Sequence, residues 1–476
     1  GSGLVGSEMC IRDRLQACFH SNQAEFVAIY GRRRVGKTFL VREMFKDNMV
    51  FYHTGLSPFE LKDEVLINSQ LTNFYSSLKR YGYEGTEKPS DWMEAFDMLI
   101  KFLETNQKEE KQVVFIDEIA WMDTPRSGFL TAFEHFWNGW ASGQHHLMLI
   151  TCSSAASWVL DNIINNRGGL YDRTTCEIHL SPFTLQECEQ YLHSKDIQLD
   201  RYSQALSYMA IGGVPYYLSM LKKGESIAAN IDNLFFAKGA KLRNEFDNLF
   251  ASQFADSESL KSIVKLLIKK KEGFTRKEIS ELCKIKTGGG LTKLLKSLEE
   301  SDFILPYLSY KGSKRNLKYK LTDPFLLFCL QFKGNTTNER YWQENQNSAK
   351  LNAWRGFAFE NLCFCHIPQI KRALGIQGVQ AEVLPWHSEQ KEGGAQTDMI
   401  IDRADRLINI CEMKFYNTDF IVDKGYDTVL RNKLTTFMEE TKVRKSPIMT
   451  LITTFGLKYN EYSGRFQSVI TLEDLF

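Results

Sequence analysis

The apolar residues of this chain fall into two rhythms. Short unbroken runs, Phe26–Tyr30, Val113–Ile116 and HLMLITCSS over 146–154, predict strands covered on both faces. Around the first, AEFVAIYGRRRVGKTFLVREMF reads as strand, loop and helix. MAIGGVPYYL, residues 209–218, sets a Gly-Gly-x-Pro turn in a helical stretch, since proline fixes φ and glycine permits a sharp bend. After residue 254 the spacing becomes that of short helices: Leu260–Lys271, Arg276–Cys283 and Gly290–Glu300. Two short strands follow in FILPYLSYKGSKRNLKYKLTDPF, flanking a Gly-Ser-Lys-Arg tip. WRGFAFENLCF, from Trp354, predicts an amphipathic helix carrying Glu360. Then come VQAEVLPWH, a hairpin in QTDMIIDRADRLINICEMKF (396–415) and two further strand–helix alternations. These alternations predict an α/β protein.

At 476 residues the chain exceeds one compact core, and about three domains are expected. The pattern divides it into a P-loop core over 14–180, a helical lid over 181–254, a module of three helices and two strands over 255–330, a linker over 331–352 and a C-terminal domain over 353–476. The leader GSGLVGSEMCIRDR lacks the apolar centre of a signal peptide. It resembles translated adapter sequence, so residues 1–13 are expected to be a non-native leader, set aside from the fold.

Composition changes little: 43% hydrophobic and 25% charged residues are ordinary for a globular protein. No run of eighteen apolar residues occurs, which predicts no membrane span. Ten cysteines without a CxxC pair predict reduced thiols and a cytoplasmic location; Cys363 and Cys365 have no matching pair for zinc. Charge changes more. The net is only +1, yet residues 255–325 hold 16 Lys and Arg against 9 Asp and Glu, a local +7 that leaves −6 elsewhere.

Gly31, Arg32, Arg33, Arg34, Val35, Gly36, Lys37 and Thr38 satisfy G-x-x-x-x-G-K-[ST] at every fixed position. In such a loop backbone N–H groups wrap phosphates, the lysine reaches the β- and γ-phosphates, and the threonine ligates Mg²⁺. The Val113–Ile116 run ends in Asp117-Glu118: one carboxylate for the Mg²⁺ shell, the next to polarise a water. Ser153 and Ser154 end the third run, where a polar side chain senses the γ-phosphate or merely closes a strand. Arg167 and Arg173 lie past a Gly-Gly turn; Arg173 suits a finger onto a neighbouring copy's nucleotide, in a homo-oligomer built through this domain, or a plain surface position.

The P-loop, the Asp-Glu strand, SPFTLQECEQYL and the Gly-x-Pro turn together resemble the archaeal-type ATPases of the AAA+/STAND group, over about Glu25 to Met220. The resemblance implies ATP and Mg²⁺ as cofactors and places Pro215 near the adenine. One departure is that the Gly-Arg-x-x-Glu-Leu segment of that group is replaced here by the leader.

Three helices and a β-wing describe a winged helix-turn-helix, whose third helix usually enters the major groove. Lys293 and Lys296 fall on or near that helix, and Lys311, Lys314 and Arg315 on the wing; with the local +7 they point to DNA. The bland alternative is a lid with a solvated lysine face. In the hairpin, Glu412 and Lys414 are two apart and share a strand face, Met413 turns away, and Asp398 on the partner strand converges on them. Two carboxylates suit Mg²⁺ and a lysine suits water or phosphate. With Glu360 on the preceding helix, QTD and EMK resemble the PD-(D/E)xK nuclease fold, which archaeal-type ATPases carry in the C-terminal part called domain of unknown function 234. The favoured expectation is a DNA-acting ATPase gating a Mg²⁺-dependent deoxyribonuclease with Asp398, Glu412, Lys414 and Glu360 at its site. The alternative is a STAND-type regulatory switch whose last two modules bind without cleaving. A peptide-handling ATPase is disfavoured for want of any protease motif.

Overall fold

The structure, a computed structural model, describes residues 7–58, 63–254, 256–312, 316–332, 334, 338–388 and 395–476. The chain forms two compact units. The first runs to Ser181 and takes in Asp247–Ser257 and Thr292–Asp302; the second comprises Pro182–Phe246, Glu258–Leu291 and Phe303–Phe476.

In the first unit the helices are α1 (Ser7–Phe19), α2 (Lys37–Phe45), α3 (Asp63–Arg80), α4 (Trp92–Thr105) and α5 (Phe129–Gly139). The strands are β1 (Glu25–Tyr30), β2 (Met49–Thr54), β3 (Gln112–Asp117), β4 (Leu147–Ser153) and β5 (Cys176–His179). They pair in parallel in the order β2-β3-β4-β1-β5. The three unbroken apolar runs became β1, β3 and β4, and every residue of β3 and β4 is buried, as a sheet covered on both faces requires. One face packs aromatics, Phe26, Phe51, Trp92, Phe96, Phe129 and Phe133 among them. The other packs Val27, Ile29, Val113 and Phe115 with Ile11, Leu15, Leu40 and Val41. Helix α1 crosses the end of the leader assigned to residues 1–13, and Ile11 and Leu15 pack into this core.

In the second unit α6 (Leu185–Ser194) starts at a capping box, Thr184 with Glu187. Helix α7 (Arg201–Ile211) ends at Gly212, φ +67°. A Cβ at Gly213 would strike the Phe183 carbonyl, and Pro215 opens the short helix Pro215–Leu218, which accounts for the Gly-Gly-x-Pro sequence. The basic stretch folds as α8 (Ser257–Leu267), β6 (Phe274–Thr275), α9 (Arg276–Cys283), α10 (Gly289–Glu299, of the first unit from Thr292 on), β7 (Ile304–Tyr307) and β8 (Lys318–Leu321), with the strands antiparallel in the order β6-β8-β7. Helix α8 stops at Leu267, not Lys271, and Gly273 turns the chain beyond it at φ +65°.

The stretch 331–352, read as a linker, carries a core side chain at Trp342. Trp342 is fully buried within 5.1–5.4 Å of Phe328, Phe332 and Trp354, and the Asp232 carboxylate accepts from the backbone N–H of Trp342 and Gln343. Phe328 and Phe332 belong to α11 (Pro324–Phe332), Trp354 to α12 (Ala349–Cys365). Beyond lie β9 (Ala381–His387), β10 (Gln396–Arg403), β11 (Leu407–Lys414), α13 (Lys424–Thr441), β12 (Ser446–Thr453) and β13 (Ser468–Ile470). The sheet runs β13-β12-β11-β10-β9, antiparallel from β9 to β11 and parallel from β11 to β13. Ile400, Ile408, Ile410, Met449 and Leu451 pack one face onto Leu430 and Phe437 of α13.

Candidate nucleotide site and acidic hairpin

The loop between β1 and α2 sits at the carboxyl edge of a parallel sheet, where such sheets bind ligands. Gly31 has φ +143°, and a Cβ there would run into the Leu180 carbonyl oxygen. Gly36 (φ +97°) and Arg34 (φ +74°) turn the chain left-handed, so the loop closes on the N-terminus of α2. Lys37 is buried, and its Nζ donates to the carbonyls of Gly31 at 2.8 Å and Arg32 at 2.9 Å across the loop mouth. Arg32 is fully buried, Val35 belongs to the core, and Arg33 donates to the Ser252 carbonyl at 3.1 Å.

Thr38 Oγ1 donates to Asp117 Oδ2 at 2.7 Å. Tyr52 Oη donates to the same oxygen at 3.4 Å, and Cys152 Sγ donates to Asp117 Oδ1. Burial, then the Asp117 charge, pushes Tyr52 up to about 12 and Cys152 well above the usual thiol value, so both stay protonated donors. A hydroxyl and a carboxylate this close fit a Mg²⁺ ion, a hard cation that takes oxygen ligands. Glu118 adopts φ +47°, rare for a residue with a Cβ, which turns it away from Asp117. Its carboxylate accepts from Ser154 N–H and Oγ, both at 2.9 Å, and from Ser153 Oγ at 3.3 Å. The strand-end serines therefore orient Glu118. Arg167 and Arg173 are exposed, and Pro215 belongs to the second unit. Tyr52 and Cys152 were missed because no motif contains them; they are simply polar atoms on strands flanking Asp117.

The lysines expected to face DNA are placed unequally. Lys293 is exposed. Lys296 is not free for a groove: it pairs with Asp161 and, at 3.7 Å, with Glu300, and Ser297 Oγ lies 3.3 Å from Ser157 Oγ, all within the first unit. Lys311 Nζ donates to the Thr441 carbonyl. Lys314 and Arg315 lie outside the described residues. Exposed lysines unremarked in the sequence are Lys277, Lys284 and Lys286, on and just after α9.

In the hairpin, β10 and β11 pair Met399 with Cys411 and Ile400 with Ile410, and β10 is irregular against β9 between Thr397 and Ile400, the stretch that holds Asp398. Lys414 Nζ lies 3.7 Å from Glu412 Oε2, and Met413 is buried on the opposite face. Two residues seven apart on α13 also reach Glu412: Tyr426 Oη donates to Oε2 at 2.8 Å and Lys433 pairs with Oε1. Glu412 is 2% exposed. Glu360 is buried on α12 and pairs with Lys271, which reaches it from just beyond α8. Burial, then the charge of Asp398, pushes the Glu360 carboxyl up. Asp398, Glu360, Lys271, Lys320 and His387 line one cavity.

Magnesium does not fit this arrangement. Ammonium groups already sit on Glu412 and Glu360, and among the described residues no three His, Cys, Asp or Glu side chains gather to hold a metal ion. Sequence alone hid Lys433, Tyr426 and Lys271, none of which lies within the EMK or QTD motif; only the seven-residue helical spacing of Tyr426 and Lys433 was there to be read.

Residues 11–221 match a family described as an ATPase domain predominantly from Archaea. The chain is 23% identical over 348 residues to the uncharacterized protein MJECL04 of Methanocaldococcus jannaschii, 72% of each chain. Among solved structures it is similar to the Walker-type ATPase PABY2304 of Pyrococcus abyssi, with 16% identity, 67% of this chain and 95% of that one covered, and a TM-score of 0.44. It is also similar to the ORC2 protein of Aeropyrum pernix, with 13% identity, 68% and 92% covered, and a TM-score of 0.41. Among the described residues no helix is long and apolar enough to cross a membrane.

Proposed function

We propose that the protein is an ATP-hydrolysing switch that acts on DNA. What carries the reading is the separation of two carboxylates: Asp117 is tied to Thr38, while Glu118 is held apart by Ser153 and Ser154. One is thereby kept for Mg²⁺ and the other for the attacking water. Lys37 leaves the loop carbonyls for the β- and γ-phosphates. Thr38 and Asp117 would hold Mg²⁺, which would supply neutralising charge. Phosphate release tests this: Lys37→Ala should lose tight ATP binding, and Glu118→Gln should bind ATP but turn over at least ~10²-fold more slowly. Equal turnover by wild type and Glu118→Gln would remove Glu118 from this role.

DNA is the partner class that the basic stretch suits, through the exposed lysines 277, 284 and 286 of the second unit. The second unit serves as the switch's effector. A second reading, that this effector is a PD-(D/E)xK-like deoxyribonuclease, is favoured by the β-β-β-α-β order from β9 to β12 and by Asp398 and Glu360 lining one cavity. Plasmid incubated with Mg²⁺ and ATP, ADP or neither separates the two: nicking abolished by Asp398→Ala supports cleavage, and intact plasmid throughout leaves the switch alone.

A further inference from the structure

Glu118 needs a firm seat. Its φ of +47° is a conformation that persists only where the surroundings over-determine it. Ser154 supplies much of that restraint, with its N–H and its hydroxyl both on Glu118 Oε2. Ser154 is itself held from the other side: its carbonyl accepts from Gln253 Nε2 at 3.2 Å. The same nitrogen donates to Ser301 Oγ at 3.1 Å. Gln253, Ser154 and Ser301 are buried, and all three belong to the first unit. Gln253 closes the helix Glu245–Gln253, and Ser301 follows the end of α10. The residue before Gln253 touches the phosphate loop, since the Ser252 carbonyl accepts from Arg33. Two consecutive residues thus join that loop to the support of Glu118.

Gln253 directs its amide N–H groups to this junction and leaves Oε1 buried without a partner among the described residues. A buried acceptor left unmet costs free energy, so what the amide contributes lies in the two groups it holds. Without it, Ser154 would be fixed on the Glu118 side alone and its buried carbonyl left unpaired. A misplacement of about 1 Å at a catalytic group is enough to cost about a hundredfold in rate. We propose that Gln253 is a positioning residue for ATP hydrolysis: it fixes Ser154 and through Ser154 aims the Glu118 carboxylate at the attacking water, a role that rests on Glu118 being the residue that polarises that water. The bond to Ser301 makes the aim answer to α10, which is anchored nearby by Lys296 on Asp161 and by Ser297 beside Ser157. Lys37 bonds to the loop carbonyls and Thr38 to Asp117, so loss of Gln253 leaves the groups that hold ATP and Mg²⁺ in place.

The test is phosphate release together with equilibrium ATP binding, by the full chain with Mg²⁺. Gln253→Met keeps the length of the side chain and removes both donors. Its kcat should fall at least ~10-fold, while KM and the ATP dissociation constant stay within about twofold of wild type. In a Glu118→Gln background the same substitution should change kcat by less than about twofold, because the carboxylate it serves is gone. Gln253→Asn, one methylene shorter and unable to span Ser154 and Ser301 together, should lose kcat in part at unchanged KM, and serves if Gln253→Met does not fold. A glutamine that only filled space would lower stability and spare kcat. Unaltered kcat in a folded Gln253 variant, or the same fold-loss in both backgrounds, would overturn the assignment. The two readings fail separately: slow Glu118→Gln beside unaltered Gln253→Met removes the role of Gln253 alone, whereas equal turnover by Glu118→Gln and wild type removes both.

Discussion

His366 shows how one residue ties stability to pH. It is fully buried; Nε2 accepts from Leu185 N–H at 2.9 Å, and Nδ1 donates to the Leu362 carbonyl at 2.8 Å. Both ring nitrogens are committed to the neutral tautomer, and burial lowers the pKa from 6.5 to about 4. The unfolded chain then binds the extra proton first, so stability is present above pH 6.5 and is lost as pH falls toward 4, by on the order of 3 kcal/mol. Urea melts between pH 7 and pH 4 check this; His366→Gln should flatten the dependence, leaving the part due to His53, which burial lowers to about 3. An unchanged slope in His366→Gln would contradict the assignment. Residue chemistry of this kind was not legible in the sequence, since a lone histidine carries no sign of its burial. The P-loop residues and Asp117-Glu118 were legible, because phosphate binding demands fixed types at fixed spacing.

Among elements, the buried strands were the easiest to read, since a continuous apolar run of that length suits little else. Boundaries set by charge or by distant packing were harder. Helix α8 ends before its lysine run, and α10 spends Lys296 on Asp161 and Glu300, pairings that sequence spacing does not display. The supposed linker over 331–352 failed for a related reason: its polar composition masks Trp342, whose partners on α11 and α12 lie on either side of it in sequence. Trp342→Ala should therefore cost about 3–5 kcal/mol, a loss proper to a large core ring. Urea denaturation followed by a probe in the second unit measures it. A cost under 1 kcal/mol would return the stretch to linker status.

At the scale of the whole molecule, the reading joins an ATPase unit to a second unit bearing most of the basic stretch and the acidic hairpin. Electrostatic binding to DNA predicts a salt dependence set by phosphate contacts. Reversing Lys277, Lys284 and Lys286 to glutamate should weaken binding and lower the slope of log K against log salt by about 3, near one per lost contact. An unchanged slope would move the contact surface elsewhere. A switch demands more than two activities in one chain: its nucleotide state must alter its hold on DNA, and by linkage DNA must alter its hold on nucleotide to the same degree. The most direct measurement is duplex DNA affinity of Glu118→Gln with ATP against the same protein with ADP, at fixed salt. The account predicts dissociation constants that differ by at least fivefold, with ATP affinity shifted by the same factor when DNA is present; identical isotherms in the two nucleotide states would contradict it.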